Sequence, residues 1–197
     1  MKLVYKGKFE SEEKLPKGVL PDNAVKFREP ESANKLNLLM LVFMIPAVVL
    51  IVIIMLISGF IHGEIIVAYG YRTLFIGLLL SLLTFFPHEL LHAVCFERDS
   101  VVQLYIAPKK LMIFVVSNDP VSKVRFIILS LLPNLIFGWI PLIIWAVFPH
   151  SGPLFCFSVI CIMMGCGDYL NVFNGVRQMP KGSMHQHSGF NSYWFMP

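Results

Sequence analysis

Residues 36–61 contain no charged side chain, and this run constrains the fold more than any other feature of the chain. A helix rises about 1.5 Å per residue, so a run of this length can cross a hydrocarbon core of about 30 Å. The composition agrees, because 14% of the residues are charged, against roughly 25% in a soluble domain. The sequence therefore predicts a transmembrane helix in a protein whose surface largely avoids water.

Three further apolar segments are long enough to cross a bilayer as helices, namely residues 73–96, 126–148 and 154–176. Two of them contain ionisable side chains. The first is interrupted by His88, Glu89 and His92, and the last by Asp168. Such residues are costly inside a membrane, on the order of 2.5–3.5 kcal/mol for a carboxylate on insertion scales, and are usually functional.

Basic residues predict the orientation of these four spans. They cluster in the leader, the second loop and the tail: Lys26, Arg28, Lys35, Arg98, Lys109, Lys110, Lys123, Arg125, Arg177 and Lys181. The first loop has only Arg72, and the third has none. Because positive loops stay in the cytoplasm, we expect an integral protein of the cell membrane with both termini cytoplasmic. The net charge of +4 is then explained by these loops, and we expect no nucleic-acid partner.

The predicted fold class is an all-α polytopic membrane protein with four transmembrane helices and a short cytoplasmic β hairpin. The hairpin is predicted at residues 101–116, where two β-branched runs flank a Pro-Lys-Lys turn. The predicted division is a cytoplasmic N-terminal extension (1–35) with little core of its own, a four-span core (36–176) and a cytoplasmic tail (177–197).

The second span contains the pattern H-E-x-x-H, formed by His88, Glu89 and His92. On a helix, positions four apart share one face, so both imidazoles can reach one metal ion. Neutral imidazole suits zinc, and the intervening glutamate can contact water bound to the metal and take its proton. The pattern predicts a zinc site with Glu89 as the catalytic base.

A catalytic zinc site usually takes three protein ligands, and Asp168 is the candidate for the third. It lies about nine residues before the cytoplasmic Arg177, and His88 lies about nine residues before the cytoplasmic Glu97. The three side chains are therefore expected at similar depth in the cytoplasmic half of the bundle. The alternative is that Asp168 pairs with a backbone donor or with Asn171.

Other motifs are weaker. Gly165-x-Gly167-Asp168 matches the G-x-G-D of aspartyl proteases, but that chemistry needs a second carboxylate, and the other aspartates lie in loops. No serine-protease pattern stands out within the spans. The four cysteines lack the spacing of a structural zinc site and are interpreted as small apolar side chains: Cys95, Cys156, Cys161 and Cys166.

The tail contains two histidines, His185 and His187, which could donate to a metal or contact substrate. The favoured interpretation is that the tail folds back at the membrane interface, where Tyr193 and Trp194 act as aromatic anchors.

The chain resembles the site-2 protease group of intramembrane metalloproteases. It resembles more closely a small family of membrane zincin peptidases, in which a span ending in H-E-L-L-H precedes a later G-D motif. The resemblance covers roughly residues 36–197. It implies that His88, His92 and Asp168 are zinc ligands and that Glu89 is the general base.

The resemblance also implies a strand-like segment after the H-E-x-x-H helix, where residues 101–116 fit. Two departures affect substrate handling more than metal binding. Pro133-Asn134 stands where site-2 proteases have a Gly-Pro-x-x-x-Asn-like stretch, without the glycine, and Tyr169 follows Asp168 where that group usually has a glycine.

The predicted function is zinc-dependent hydrolysis of peptide bonds near the cytoplasmic side of the membrane. The substrate would be an extended polypeptide or an unwound transmembrane segment, which could add as an extra strand beside residues 101–116. The rival prediction, from another functional class, is a catalytically silent metal-binding scaffold in the membrane.

Overall fold

The computed structural model describes residues 1–30, 32–63, 70–108, 112–149 and 151–197. Most of these residues are helical. The helices are α1 (Ala33–His62), α2 (Tyr71–Leu83), α3 (Phe85–Val94), α4 (Lys123–Asn134), a π-helical segment (Leu135–Trp139), α5 (Ile140–Val147), α6 (Gly152–Met164) and α7 (Cys166–Gln178), with a short 3₁₀ turn at Glu12–Lys14.

Three helical stretches in the described parts of the chain are long and apolar enough to cross a membrane: Asn34–His62, Tyr71–Val94 and Lys123–Val147. A fourth candidate consists of α6 and α7, which are bent by 49° at a short break and are either one broken span or a re-entrant loop. These stretches coincide with the four segments that the sequence predicts as spans.

The second stretch is interrupted at Thr84, between α2 and α3. Pro87 has no backbone N–H and cannot donate to the carbonyl of Leu83, which weakens the helix at this point. At the break itself, Thr84 Oγ1 donates to the carbonyl of Ser81 at 2.7 Å. The break separates the H-E-x-x-H helix α3 from the rest of the apolar stretch.

Strands are more numerous than the sequence predicts, and the all-α fold class is wrong in this respect. Within the described residues, seven strands form two sheets: β1 (Lys2–Lys8), β2 (Val25–Lys26), β3 (Val101–Ala107), β4 (Met112–Val116), β5 (Val121–Ser122), β6 (Met184–Ser188) and β7 (Asn191–Phe195). One sheet has the order β1-β3-β4, and the other β2-β7-β6-β5.

The predicted hairpin is confirmed as β3 and β4, which pair antiparallel with Tyr105 opposite Phe114. Lys109 and Lys110 of its predicted turn lie outside the described residues. The leader adds β1 to this sheet, parallel to β3, and the tail supplies β6 and β7 of the second sheet. The division at residues 35 and 176 stays a prediction, but leader and tail both contribute strands to sheets shared with the middle of the chain.

The described chain separates into two units. Unit 1 comprises Met1–Glu29, Phe86–Ser130 and Asn171–Pro197, and it contains both sheets. Its buried core is formed by Phe27, Val121, Phe126 and Met179, with Trp194 packed against it. Residues from the leader, the middle and the tail therefore build one hydrophobic core.

Unit 2 comprises Pro30–Phe85 and Leu131–Leu170. Its core consists of Met44, Ala47, Ile51, Leu142, Trp145 and Ile162. Outside this core the helices expose large apolar side chains, such as Phe60 at 91% and Leu38 at 63%. Monomeric soluble proteins rarely expose continuous apolar surface of this kind, so several of these helices could span a membrane.

Candidate metal centre

Helix α3 presents the two histidines of the H-E-x-x-H motif on one face. The ring centroids of His88 and His92 lie 4.9 Å apart, with the ring planes at 74°. This proximity follows from the helix itself, because side chains at positions i and i+4 are neighbours one turn apart. The spacing that the sequence predicts is therefore realised in the fold.

The ring of His92 is held by a backbone carbonyl of α4. Its Nδ1 lies 2.8 Å from the carbonyl oxygen of Leu129. A carbonyl oxygen can only accept, so Nδ1 must carry the proton, and in the neutral imidazole the lone pair is then on Nε2. Such a hydrogen bond is the usual way in which proteins fix the tautomer and orientation of a metal-binding histidine.

Glu89 reaches the hairpin that follows α3. Its Oε2 accepts a hydrogen bond from the backbone N–H of Val115, at 3.0 Å. Val115 lies in β4, at the edge of the three-stranded sheet. The carboxylate is thus held against the edge of a strand.

Asp168 lies in the first turn of α7. Its Oδ2 accepts a hydrogen bond from Asn134 Nδ2 at 2.8 Å. This asparagine partner differs from Asn171, which the sequence offers as the alternative, and Asn134 is itself buried, with 1% of its surface exposed. A buried amide therefore fixes one oxygen of the Asp168 carboxylate.

The ligand atoms of His88, His92 and Asp168 all lie within 4.8 Å of one another, and these three side chains could hold one metal ion. Two imidazole nitrogens and one carboxylate oxygen are a donor set that suits zinc. The hydrogen bond to His92 Nδ1 adds to the fit, because it leaves the lone pair of that ring on Nε2, the other nitrogen. The residues present therefore fit a zinc ion.

The histidines of the tail lie elsewhere in the fold. His185 is buried in unit 1, where its ring stacks on Phe126 with the centroids 3.8 Å apart. His187 lies beside it, at 4.5 Å between ring centroids. Among the described residues, neither belongs to the group that could bind a metal. Trp194, predicted to anchor at the membrane interface, packs against the core of unit 1.

Three contacts in this region do not follow from the sequence: those made by the carbonyl of Leu129, the N–H of Val115 and the amide of Asn134. The first two involve backbone groups, which every residue type carries, so the sequence gives no signal for them. Asn134 carried a signal, because an asparagine inside an apolar segment needs a hydrogen-bond partner when buried.

A helix carrying H-E-x-x-H, with a carboxylate near its two imidazoles, is the arrangement expected of a metallopeptidase. Residues 81–184 match a family described as "Putative zincin peptidase". The match covers slightly more than half of the chain, and the protein belongs to this family. The family suggests a metallopeptidase and implies zinc. No curated protein and no solved structure matches the chain.

Proposed function

We propose that this protein is a membrane-embedded zinc metalloprotease, related to the site-2 proteases, which hydrolyses peptide bonds near the cytoplasmic side of the cell membrane. The observation that carries the proposal is the proximity of His88, His92 and Asp168. Glu89 lies on the same helix as the two histidines, and its carboxylate supplies the general base that hydrolysis needs. The apolar helices with exposed side chains support the membrane part of the proposal.

In this mechanism His88, His92 and Asp168 would hold a zinc ion, which would supply a Lewis acid to polarise a peptide carbonyl and to acidify water. Glu89 takes a proton from a water molecule as the oxygen of that water attacks the carbonyl carbon. The same carboxyl group then gives the proton to the leaving amine. Leu129 keeps the His92 ring in one orientation, and Asn134 does the same for the Asp168 carboxylate.

The substrate is proposed to be an extended polypeptide or an unwound transmembrane segment that pairs with the edge of β4. An edge strand offers backbone groups to an incoming chain, and Val115 N–H already lies against Glu89. A substrate strand at this edge would therefore bring its peptide bonds near the proposed base.

The proposal is tested with detergent-purified Glu89→Gln. Glutamine cannot act as a base, so cleavage should fall about 10²–10⁴-fold, while zinc content, read by elemental analysis, should stay at the wild-type level. Cleavage is measured by counting new N-termini by mass spectrometry after incubation with solubilised membrane proteins. Glu97→Gln is the matched control, because Glu97 is exposed and pairs with Arg125.

Unchanged cleavage by Glu89→Gln would remove the protease function. Zinc binding without any cleavage by the wild-type protein would favour the scaffold.

A further inference from the structure

Helix α4 has a proline at the position whose backbone N–H would normally donate a hydrogen bond to the carbonyl of Leu129. In an α-helix the carbonyl of residue i accepts from the N–H of residue i+4, which for Leu129 is Pro133. Proline has no N–H, yet α4 continues through Pro133 to Asn134. The helix therefore leaves the carbonyl of Leu129 without its ordinary intrahelical donor.

That carbonyl is the one that accepts from His92 Nδ1, at 2.8 Å. We propose that Pro133 is a positioning residue of the metal centre, because its missing N–H reserves the Leu129 carbonyl for His92. The inference rests on the proposed function, since it assigns a task to the orientation of a zinc ligand. It goes beyond that function by naming a residue that acts through a backbone group and never touches the metal.

The physical consequence concerns the tautomer of His92. A carbonyl that already accepts a hydrogen bond from an intrahelical N–H is a weaker acceptor for a second donor. Its direction is also fixed close to the helix axis. With an N–H at position 133, the ring would share the acceptor or lose it. The proton could then move to Nε2, the nitrogen that the metal needs unprotonated. Changes to such supporting hydrogen bonds typically cost 10–100-fold in metal affinity.

Burial makes the arrangement hard to replace. Pro133 is among the fully buried side chains, and the hydrogen bond from His92 to Leu129 is itself partly buried, so water has less access to the carbonyl than on an exposed helix. A polar group left unpaired in such surroundings costs free energy. The His92 ring and the Leu129 carbonyl thus satisfy each other.

The test measures zinc affinity of full-length protein in detergent, by competition with a fluorescent chelator. Pro133→Ala restores the N–H and should weaken zinc binding at least about tenfold. Pro141→Ala is the matched control, because it also restores a backbone N–H in the apolar stretch Lys123–Val147, within α5. The zinc affinity of this variant should stay within about twofold of the wild-type value.

A second substitution isolates the N–H from the change of side chain. Placing lactic acid, the hydroxy acid analogue of alanine, at position 133 gives the alanine side chain with an ester oxygen in place of the N–H. This variant should bind zinc like the wild type. If Pro133→Ala fails to fold while the ester variant folds and binds zinc, the N–H is still identified as the harmful group. If the ester variant loses zinc as Pro133→Ala does, the inference is wrong.

Nitrogen NMR of metal-free protein with labelled histidine gives a readout that does not depend on zinc. His92, identified by its loss in His92→Gln, should carry its proton on Nδ1 in the wild type, and this preference should weaken in Pro133→Ala. Wild-type protein that binds no zinc would contradict the proposed function itself. Wild-type protein that binds zinc no more tightly than Pro133→Ala, with the same tautomer, would contradict only the role of Pro133.

Discussion

Asn134 and Gly165 constrain each other around the carboxylate of Asp168. A Cβ at position 165 would lie 1.7 Å from Asn134 Oδ1, far inside contact distance, so only glycine fits beside this amide. Asn134 Oδ1 is buried and has no hydrogen-bond partner among the described residues, while Nδ2 donates to Asp168. Because an ionised carboxylate can only accept, the Nδ2 end of the amide must face Asp168, and the missing side chain of Gly165 leaves room for the Oδ1 end.

At the residue scale, this orientation supports a prediction for Asp168→Ala. Removing a proposed ligand should weaken zinc binding more than changing a supporting contact does, and therefore by more than about tenfold. The measurement is zinc stoichiometry and affinity of purified protein. Asp99→Ala is the control, since Asp99 is an exposed aspartate. Full zinc occupancy in Asp168→Ala would show that the third ligand is another group.

At the scale of elements, the β6–β7 hairpin contains a pair of histidines kept neutral by burial. Burial lowers the pKa of His185 well below its ordinary value, and the neighbouring His187 lowers it further. Burial also lowers the pKa of His187, to about 4. His185 Nε2 is buried without a hydrogen-bond partner in the described part of the chain. A charged ring carries protons on both nitrogens, and the proton on Nε2 would have no acceptor among the described residues.

This environment predicts that the hairpin loses stability in acid. As the pH falls below about 6.5, these two histidines bind protons in the unfolded chain but stay neutral in the folded chain. The free energy of unfolding therefore falls as the pH falls. Hydrogen-exchange protection of β6 and β7, corrected for intrinsic rates, should drop by about tenfold per pH unit for each such histidine. His185→Phe, which keeps an aromatic ring against Phe126, should reduce this slope, whereas exposed His62→Gln should leave it unchanged. An unaltered slope in His185→Phe would refute the assignment.

The elements differ in how far the sequence predicts them, and the reason is the range of the contacts involved. The apolar stretches and the β3–β4 hairpin depend on neighbouring residues, so composition and periodicity indicate them. The pairing of β1 with β3 joins residues about a hundred positions apart, and β2 and β5 have only two residues each. No local pattern marks such pairs, so the sequence predicts the β3–β4 hairpin but neither the strand β1 that joins it nor the second sheet.

The residues of the candidate site also differ in how far the sequence predicts their positions. The proximity of His88 and His92 depends on helix periodicity alone, which makes it predictable. The hydrogen-bond partners of His92 and Asp168 are set by tertiary packing, which determines the backbone carbonyl that lies near the ring and the amide that lies near the carboxylate. The missing N–H of Pro133 was visible in the sequence, but its meaning required knowing that His92 lies beside Leu129.

At the scale of the whole molecule, the strand pairs restrict how the chain can cross a membrane. Hydrogen-bonded strands of one sheet must lie on one side of the bilayer. In a chain that crosses a membrane, the pair β2–β7 therefore requires the leader and the tail to lie on the same side. The pair β5–β6 does the same for the segment before α4 and the segment after α7. If Lys123–Val147 crosses, the bent pair α6–α7 must cross back.

If the three apolar stretches before α6 cross the membrane, the strand pairs require four crossings and exclude a re-entrant α6–α7 pair. Single cysteines in a cysteine-free background, at exposed Glu12, Lys181 and His62, report the side of the membrane through a thiol reagent that does not cross bilayers. Positions 12 and 181 should react from the cytoplasmic side, as the basic loops also indicate, and position 62 from the opposite side. The unmodified cysteine-free protein is the control for background labelling. Labelling of positions 12 and 181 from opposite sides would be incompatible with the β2–β7 pair, because it would require an odd number of crossings between two hydrogen-bonded strands.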